Sequence, residues 1–165
     1  MAGSPPEHPA VMSRAFVKEA EGTEVEALPE LVVSPHRNLV TPEGLARIES
    51  TLAQLEAALS GARAREDRDS AARAERDLRY WRQRRVSAEV VVPEPATATV
   101  RFGSWVVLST DDGARLRFRI VGEDEADPKH GLISYVAPLA VELLGASVGD
   151  EIPFREGTAA IEAIE

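Results

Sequence analysis

The sequence predicts an α+β chain: a disordered leader, an antiparallel coiled-coil helical hairpin, then a small antiparallel sheet domain with one helix. Three observations predict it. Residues 1–39 are rich in Pro and Glu and poor in aromatics. Apolar residues then recur at a/d heptad spacing in two consecutive stretches. From Val100 the period falls to two, and Asp112-Gly113 separates two alternating runs.

The leader, 1–39, opens on "GSPPEHP", which has too little apolar surface to build a core and is expected to be disordered. Its end, "LPELVVSPHRN", is more apolar and is expected to lie extended, because Pro35 biases Ser34 away from the helical region. The hairpin is expected over 40–92. In "TPEGL", Thr41 suits an N-cap, Pro42 suits the first helical position, and Glu43 favours the positive end of the helix dipole. Leu45, Ile48, Leu52, Leu55, Leu59 and Ala62 follow as one seam. Ala71, Ala74, Leu78, Trp81, Arg85 and Ala88 repeat that spacing. Such a stripe is narrower than the face a helix usually turns to a globular core, so the two seams are expected to face each other. The second helix is expected to end near Glu89, and Pro93 and Pro95 in the following linker bar its continuation.

The sheet domain is expected over 98–165. "FGSWVVLST" and "ARLRFRIVG" form a hairpin in which Leu116, Phe118 and Ile120 face one way and Arg115, Arg117 and Arg119 the other. "LISYV" reads as a third strand, "APLAVELLG" as a short helix closed by Gly145, and "EIPF" and "AAIEAIE" as the last strands.

Charge narrows the partners. The net charge is −9, unevenly spread. Residues 40–92 carry ten basic and nine acidic side chains, whereas 93–165 carry six and thirteen. An acidic sheet domain is repelled by duplex DNA, whose binding rests on phosphate neutralisation, and suits a protein with a basic surface. There are no cysteines, and His8, His36 and His130 are scattered without a partner at helical spacing, so a histidine metal site has no support. No run reaches transmembrane length and the first residues contain no signal-type apolar run, so the expectation is a cytoplasmic monomer with no membrane partner.

Between the seams stands "AREDRDSAAR". Glu66, Asp67 and Asp69 fall at the apex of the hairpin, and Asp67 and Asp69, one residue apart, have the spacing to chelate a hard cation. Arg65 and Arg68 are placed to pair with them. Two readings stand: carboxylates held out for a metal, or a turn kept soluble by charge. On the second helix Arg73, Arg76 and Arg79 recur every three residues, either as a phosphate-facing stripe or as a solvated face satisfied by Glu75 and Asp77. Trp81 lies on the seam and reads as core. The loop "GEDEADPKHG" reads as a solvated acidic loop, since it lacks the ligand order of a calcium-binding EF-hand.

The stretches "FGSWVVLSTDDG", "RFRIVGEDEAD" and "GLISYVAPLAVELLGASVGDEI" resemble the Gre family of bacterial transcription elongation factors. The resemblance is close over 100–152, and the hairpin and linker extend it back to about Asn38. It implies an FKBP-like sheet domain that docks on core RNA polymerase and a hairpin that enters the polymerase secondary channel. By the match of "ISYVAPLA", docking falls to Ile133, Ser134, Pro138 and Leu139, with Ala137 where the family often has Ser. Arg73, Arg76 and Arg79 would face the nascent RNA 3′ end. The implied factor is not itself an enzyme and has no cofactor of its own. Its apex would meet the polymerase Mg²⁺ in trans, with Asp67 and Asp69 as the metal-assisting pair and Glu66 beside them. The family's cleavage-stimulating tip has a Gly-Asp pair, an Asn after a Glu and a closing Tyr, and the corresponding stretch here, "REDRDSAARAERD", has none of these. The arm, 26 residues from Thr41 to Asp67, spans ~39 Å at the helical rise, shorter than in those members. The resemblance therefore extends to the regulator of nucleoside diphosphate kinase, a shorter-armed relative, and to a purely channel-occluding role. An FKBP-like fold also raises prolyl isomerisation, but fold alone does not carry function and few aromatics are present to line a proline pocket.

Overall fold

A computed structural model describes residues 28–95 and 97–165. The disorder expected of the leader falls mostly on residues 1–27, outside the described residues. A short strand β1 (Leu39–Val40) leads into α1 (Pro42–Ala64), which turns back as α2 (Arg68–Ser87) and ends in β2 (Glu89–Val90). β1 and β2 pair in parallel and close the base of the hairpin. Thr41 caps α1 by accepting the Gly44 amide at 3.0 Å, and Pro42 follows at the first helical position.

The two helices pack directly on each other, with Ile48, Ala62, Ala74 and Leu78 buried between them. Three ion pairs cross outside the seam: Arg63–Glu75 at 2.7 Å, Arg82–Glu56 at 3.2 Å and Arg85–Glu49 at 2.9 Å. They fix the antiparallel register. One seam position differs from expectation. Arg85 is exposed, and Arg84 is buried at 1% exposure. Arg84 is not on the seam: at ~100° per residue it lies about 120° round α2 from Leu78, on the side of Tyr80, and it is buried there against Asp124. Helix α2 also stops at Ser87, two residues short of Glu89, because the chain there joins the β1–β2 pair.

The second half contains β3 (Trp105–Thr110), β4 (Arg115–Val121), β5 (Leu132–Ser134), α3 (Pro138–Leu143), β6 (Glu151–Phe154) and β7 (Gly157–Ile164). The sheet order is β5-β4-β3-β7-β6. Val106, Leu108, Ile120, Ile133, Leu143, Ile152 and Ile161 make the core on the α3 side. Arg115 and Arg117 line the opposite face, where Arg117 lies 4.0 Å over the Trp105 ring and pairs with Glu165. The sheet is mixed, not wholly antiparallel: β5 runs parallel to β4. The cause is the connection, in which two 3₁₀ turns, Glu123–Glu125 and Pro128–His130, carry the chain back beside Arg119 of β4 before β5 begins.

Candidate functional site: the apex and base of the hairpin

The turn at the apex is built from backbone bonds first. Glu66 N–H donates to Arg63 O at 3.1 Å and Asp67 N–H to Ala62 O at 2.9 Å, so the last carbonyls of α1 are satisfied by the residues leaving it. This closure needs a left-handed residue, and Glu66 takes it at φ 56°. Asp67 is then the N-cap of α2, accepting the Ser70 amide at 3.0 Å. Ser70, by hydroxyl and amide, is the main reason its carboxyl lies below the usual aspartate value, with Arg65 and Arg73 adding to the effect.

Glu66 and Asp69 are exposed and Asp67 half-exposed at this end. Arg63, Glu66, Asp67, Arg68 and Ala71 line a shallow open depression. The pairing expected between Arg65 or Arg68 and the aspartates does not form among the described residues. Arg63 instead reaches across to Glu75. Among the described residues no three His, Cys, Asp or Glu side chains converge closely enough to hold a metal ion. What the apex presents is two neighbouring aspartates, one of them with an oxygen committed to capping.

The arginine stripe is broken up by carboxylates. Arg79 is bound by Glu30 through two nitrogens, 2.5 and 3.1 Å, and Arg76 pairs with its neighbour Asp77 at 2.7 Å. Arg73 is exposed and has no ion pair among the described residues. Trp81 is half-buried, edge-on to Tyr80 at 5.3 Å.

Of the residues expected to dock a partner, Ile133 is buried in the core and Leu139 packs against it. Ser134 is half-buried at the end of β5, and Pro138 is exposed as the first residue of α3. The four lie on one β5–α3 junction, where Ile133 is covered, Ser134 and Leu139 are half-buried and Pro138 is exposed. Tyr135 beside them donates its hydroxyl to Arg37 O at 2.6 Å.

The base of the hairpin contains a polar cluster that sequence reasoning missed. The loop read as solvated is turned inward. Glu125, 5% exposed, accepts the Thr41 amide at 3.0 Å, the Thr41 hydroxyl, and the Gly122 amide at 3.0 Å. Gly44 and Gly122 leave the space for it: a Cβ on Gly44 would lie 2.1 Å from the Glu125 carboxyl carbon. Asp124 accepts from buried Arg84 and from the Tyr80 hydroxyl at 2.8 Å. Burial, then that hydrogen bond, pushes the Tyr80 phenol up to about 12. Asn38 donates to Arg84 O at 2.7 Å, Ser34 to Glu123 at 3.0 Å, and Arg119 lies 3.6 Å from Glu43. The usable signal was Arg84 itself, four residues past Tyr80 on the same face of α2, which needs a carboxylate partner if it is buried.

Residues 94–164 match the family described as "Transcription elongation factor, GreA/GreB, C-term". The transcription elongation factor GreB of Pseudomonas aeruginosa is 35% identical over 136 residues, covering 71% of this chain and 81% of its own. The transcription elongation factor GreA of Rhodospirillum rubrum is 34% identical over 136 residues, covering 70% and 87%. A solved structure of a prokaryotic transcription elongation factor GreA/GreB from Nitrosomonas europaea is similar over 76% of this chain, at 23% identity and a TM-score of 0.39. Among the described residues no helix is long and apolar enough to cross a membrane. With relatives at 34% and 35% identity that cover 70% or more of this chain and more than four fifths of their own length, the chain belongs to the GreA/GreB family of transcription elongation factors.

Proposed function

We propose that this chain binds bacterial RNA polymerase through its sheet domain, inserts the hairpin into the secondary channel, and modulates cleavage of backtracked transcripts. The observation that carries the reading is the separation of two surfaces by a stiff arm. A charged apex stands at one end, and a sheet domain is bonded to the other end by buried polar groups. An accessory factor of this shape performs no chemistry of its own. Two-metal phosphodiester hydrolysis needs both Mg²⁺ ions held by hard oxygen ligands. Asp67 and Asp69 would add carboxylate oxygens to a metal that the polymerase already holds. They suit that role better than a resident site, because they do not converge with a third ligand.

A second reading, occupancy of the channel without cleavage, is favoured by one observation: Asp67 already spends a carboxylate oxygen on Ser70. The deciding experiment is transcript cleavage on a stalled, backtracked polymerase over a Mg²⁺ titration. The expected result is shortened transcript with the parent chain and none with the Asp67→Ala, Asp69→Ala double variant, at unchanged polymerase affinity. A parent chain that binds polymerase and never shortens a transcript would establish the occluding role. Cleavage surviving the double variant would reduce the apex carboxylates to a solvated turn.

A further inference from the structure

The apex can act on a partner only if it arrives at a fixed place, and the apex is far from the domain that would hold the partner. Helix α1 has 23 residues, about 35 Å at the helical rise, so each ~10° of swing at the base moves the apex about 6 Å. A displacement of even ~1 Å at a reacting centre is enough to cost rate. The β1–β2 pair joins Leu39–Val40 to Glu89–Val90 and is not hydrogen-bonded into the five-stranded sheet, so strand pairing does not set the direction of the arm.

The joint is instead filled by charge. Arg84 on α2, 1% exposed, is bonded to Asp124 at 11% exposure. Glu125 is buried against the first turn of α1 at Thr41 and Gly44. The two contacts arise from adjacent residues of one 3₁₀ turn and grip the two helices separately. A single contact would act as a pivot; two on different helices remove rotation about it. Buried ionic groups of this kind are costly to desolvate and are better suited to specifying geometry than to adding stability.

We infer that Arg84 and Glu125 are positioning residues, which fix the direction in which the arm leaves the sheet domain and so set where the apex lands. The inference deepens the polymerase reading and rests on it for its functional consequence, but the geometric part stands alone.

The test uses the full chain, which has no native cysteine. Spin labels are attached through Ser60→Cys near the apex and Glu156→Cys in the β6–β7 turn, both exposed. Their distance distribution is measured by pulsed electron paramagnetic resonance. The parent should give one narrow distribution. Asp124→Asn should broaden it by several ångströms, as about 6 Å per ~10° of swing requires. Gly44→Ala should do the same without touching charge, since its Cβ collides with the Glu125 carboxylate while Ala is the better helix former. Circular dichroism checks that helix content is kept. If Asp124→Asn loses it, Gly44→Ala decides alone. Distributions as narrow as the parent's in the folded variants would overturn the inference.

On stalled polymerase, the same variants should bind with unchanged affinity and lose apex-dependent cleavage by about tenfold or more. Equal loss of affinity and cleavage would overturn the positioning role, leaving ordinary destabilisation. A parent chain without any effect on polymerase would refute the proposed function, and the spin-label result would then stand or fall by itself.

Discussion

Glu66→Gly should make this protein more stable, although it removes a side chain from the apex of the arm. Glu66 sits at φ 56°, the left-handed position through which α1 closes onto Asp67. An L-residue there pays roughly 1–2 kcal/mol of steric cost. Glycine pays none of it, but returns about 0.5–1 kcal/mol through the larger freedom of the unfolded chain. Glu66 lies between the negative end of α1 and the positive end of α2, so the charge terms oppose each other and nearly cancel. The net expectation is a gain of about 0.5–1 kcal/mol, a rise in Tm of roughly 1–4 °C for a chain of this size.

The assay is thermal unfolding by far-ultraviolet circular dichroism, with Glu66→Ala as the control. Alanine keeps the left-handed cost and loses the carboxylate, so it should leave Tm near the parent's. Glycine above alanine isolates the backbone term. If the glycine and alanine variants melt together, the left-handed residue costs nothing here. The left-handed closure through Glu66 would then carry no strain, and the expected gain from glycine would be refuted.

Leu78, 2% exposed in the seam, should cost about 2–4 kcal/mol when cut to alanine; a loss of helix stability under ~1 kcal/mol would show that the helices do not pack through it. Tyr80 makes the alkaline limb of stability steep. Its folded pKa of about 12 lies above its ordinary 10.0, so the stabilisation it supplies is complete below ~pH 10 and is lost as pH rises through ~12. Tyr80→Phe should remove the later tyrosinate step in an ultraviolet titration, and loss of a step near the ordinary 10.0 instead would refute the Asp124 contact. Asp67 acts at the other end: its carboxyl is held below 3.8, so its contribution is present above that value and is lost as pH falls through the lower folded value. Asp67→Ala should therefore flatten part of the acid limb, and acid unfolding superimposable on the parent's would refute the capping role.

The local parts of this fold were legible and the distant ones were not. The Thr41-Pro42 helix start, the two heptad seams and the Asp112-Gly113 turn each depend on residues within a few positions of one another. The pattern therefore carries them directly. The parallel pairing of β5 was not legible, because a hairpin and a return crossover have the same alternating pattern and differ only in the path of the loop between. The joint was misread for the same reason in stronger form. A run such as "GEDEAD" is solvated in most proteins, and what buries it here lies far off in the chain: Glu125 meets Thr41 across 84 positions and Asp124 meets Arg84 across 40. At the apex, the position of Glu66, Asp67 and Asp69 was legible from where the seams end. Their division of labour was not, because capping depends on backbone angles that composition does not show.

The arm's construction also explains why its apex is held by backbone bonds rather than by packing. Toward the base, the seam is filled by Ile48 and Leu78; toward the apex it is Ala62 and Ala74. Small residues let the helices approach closely and keep the end slender, but they remove little apolar surface from water, at roughly 25 cal/mol for each Å². The register there has to come from elsewhere. Arg63–Glu75 supplies one exposed rung, worth little in energy but specific in direction. The left-handed closure and the Asp67 cap supply the rest. A slender end is thus obtained by trading hydrophobic stability for directional bonds, and Asp67 is drawn into that structural role. The same carboxylate that a metal-assisting apex would present is the one that starts α2, so stability and function compete for a single side chain, while Asp69 in the first turn of α2 stays uncommitted to the cap.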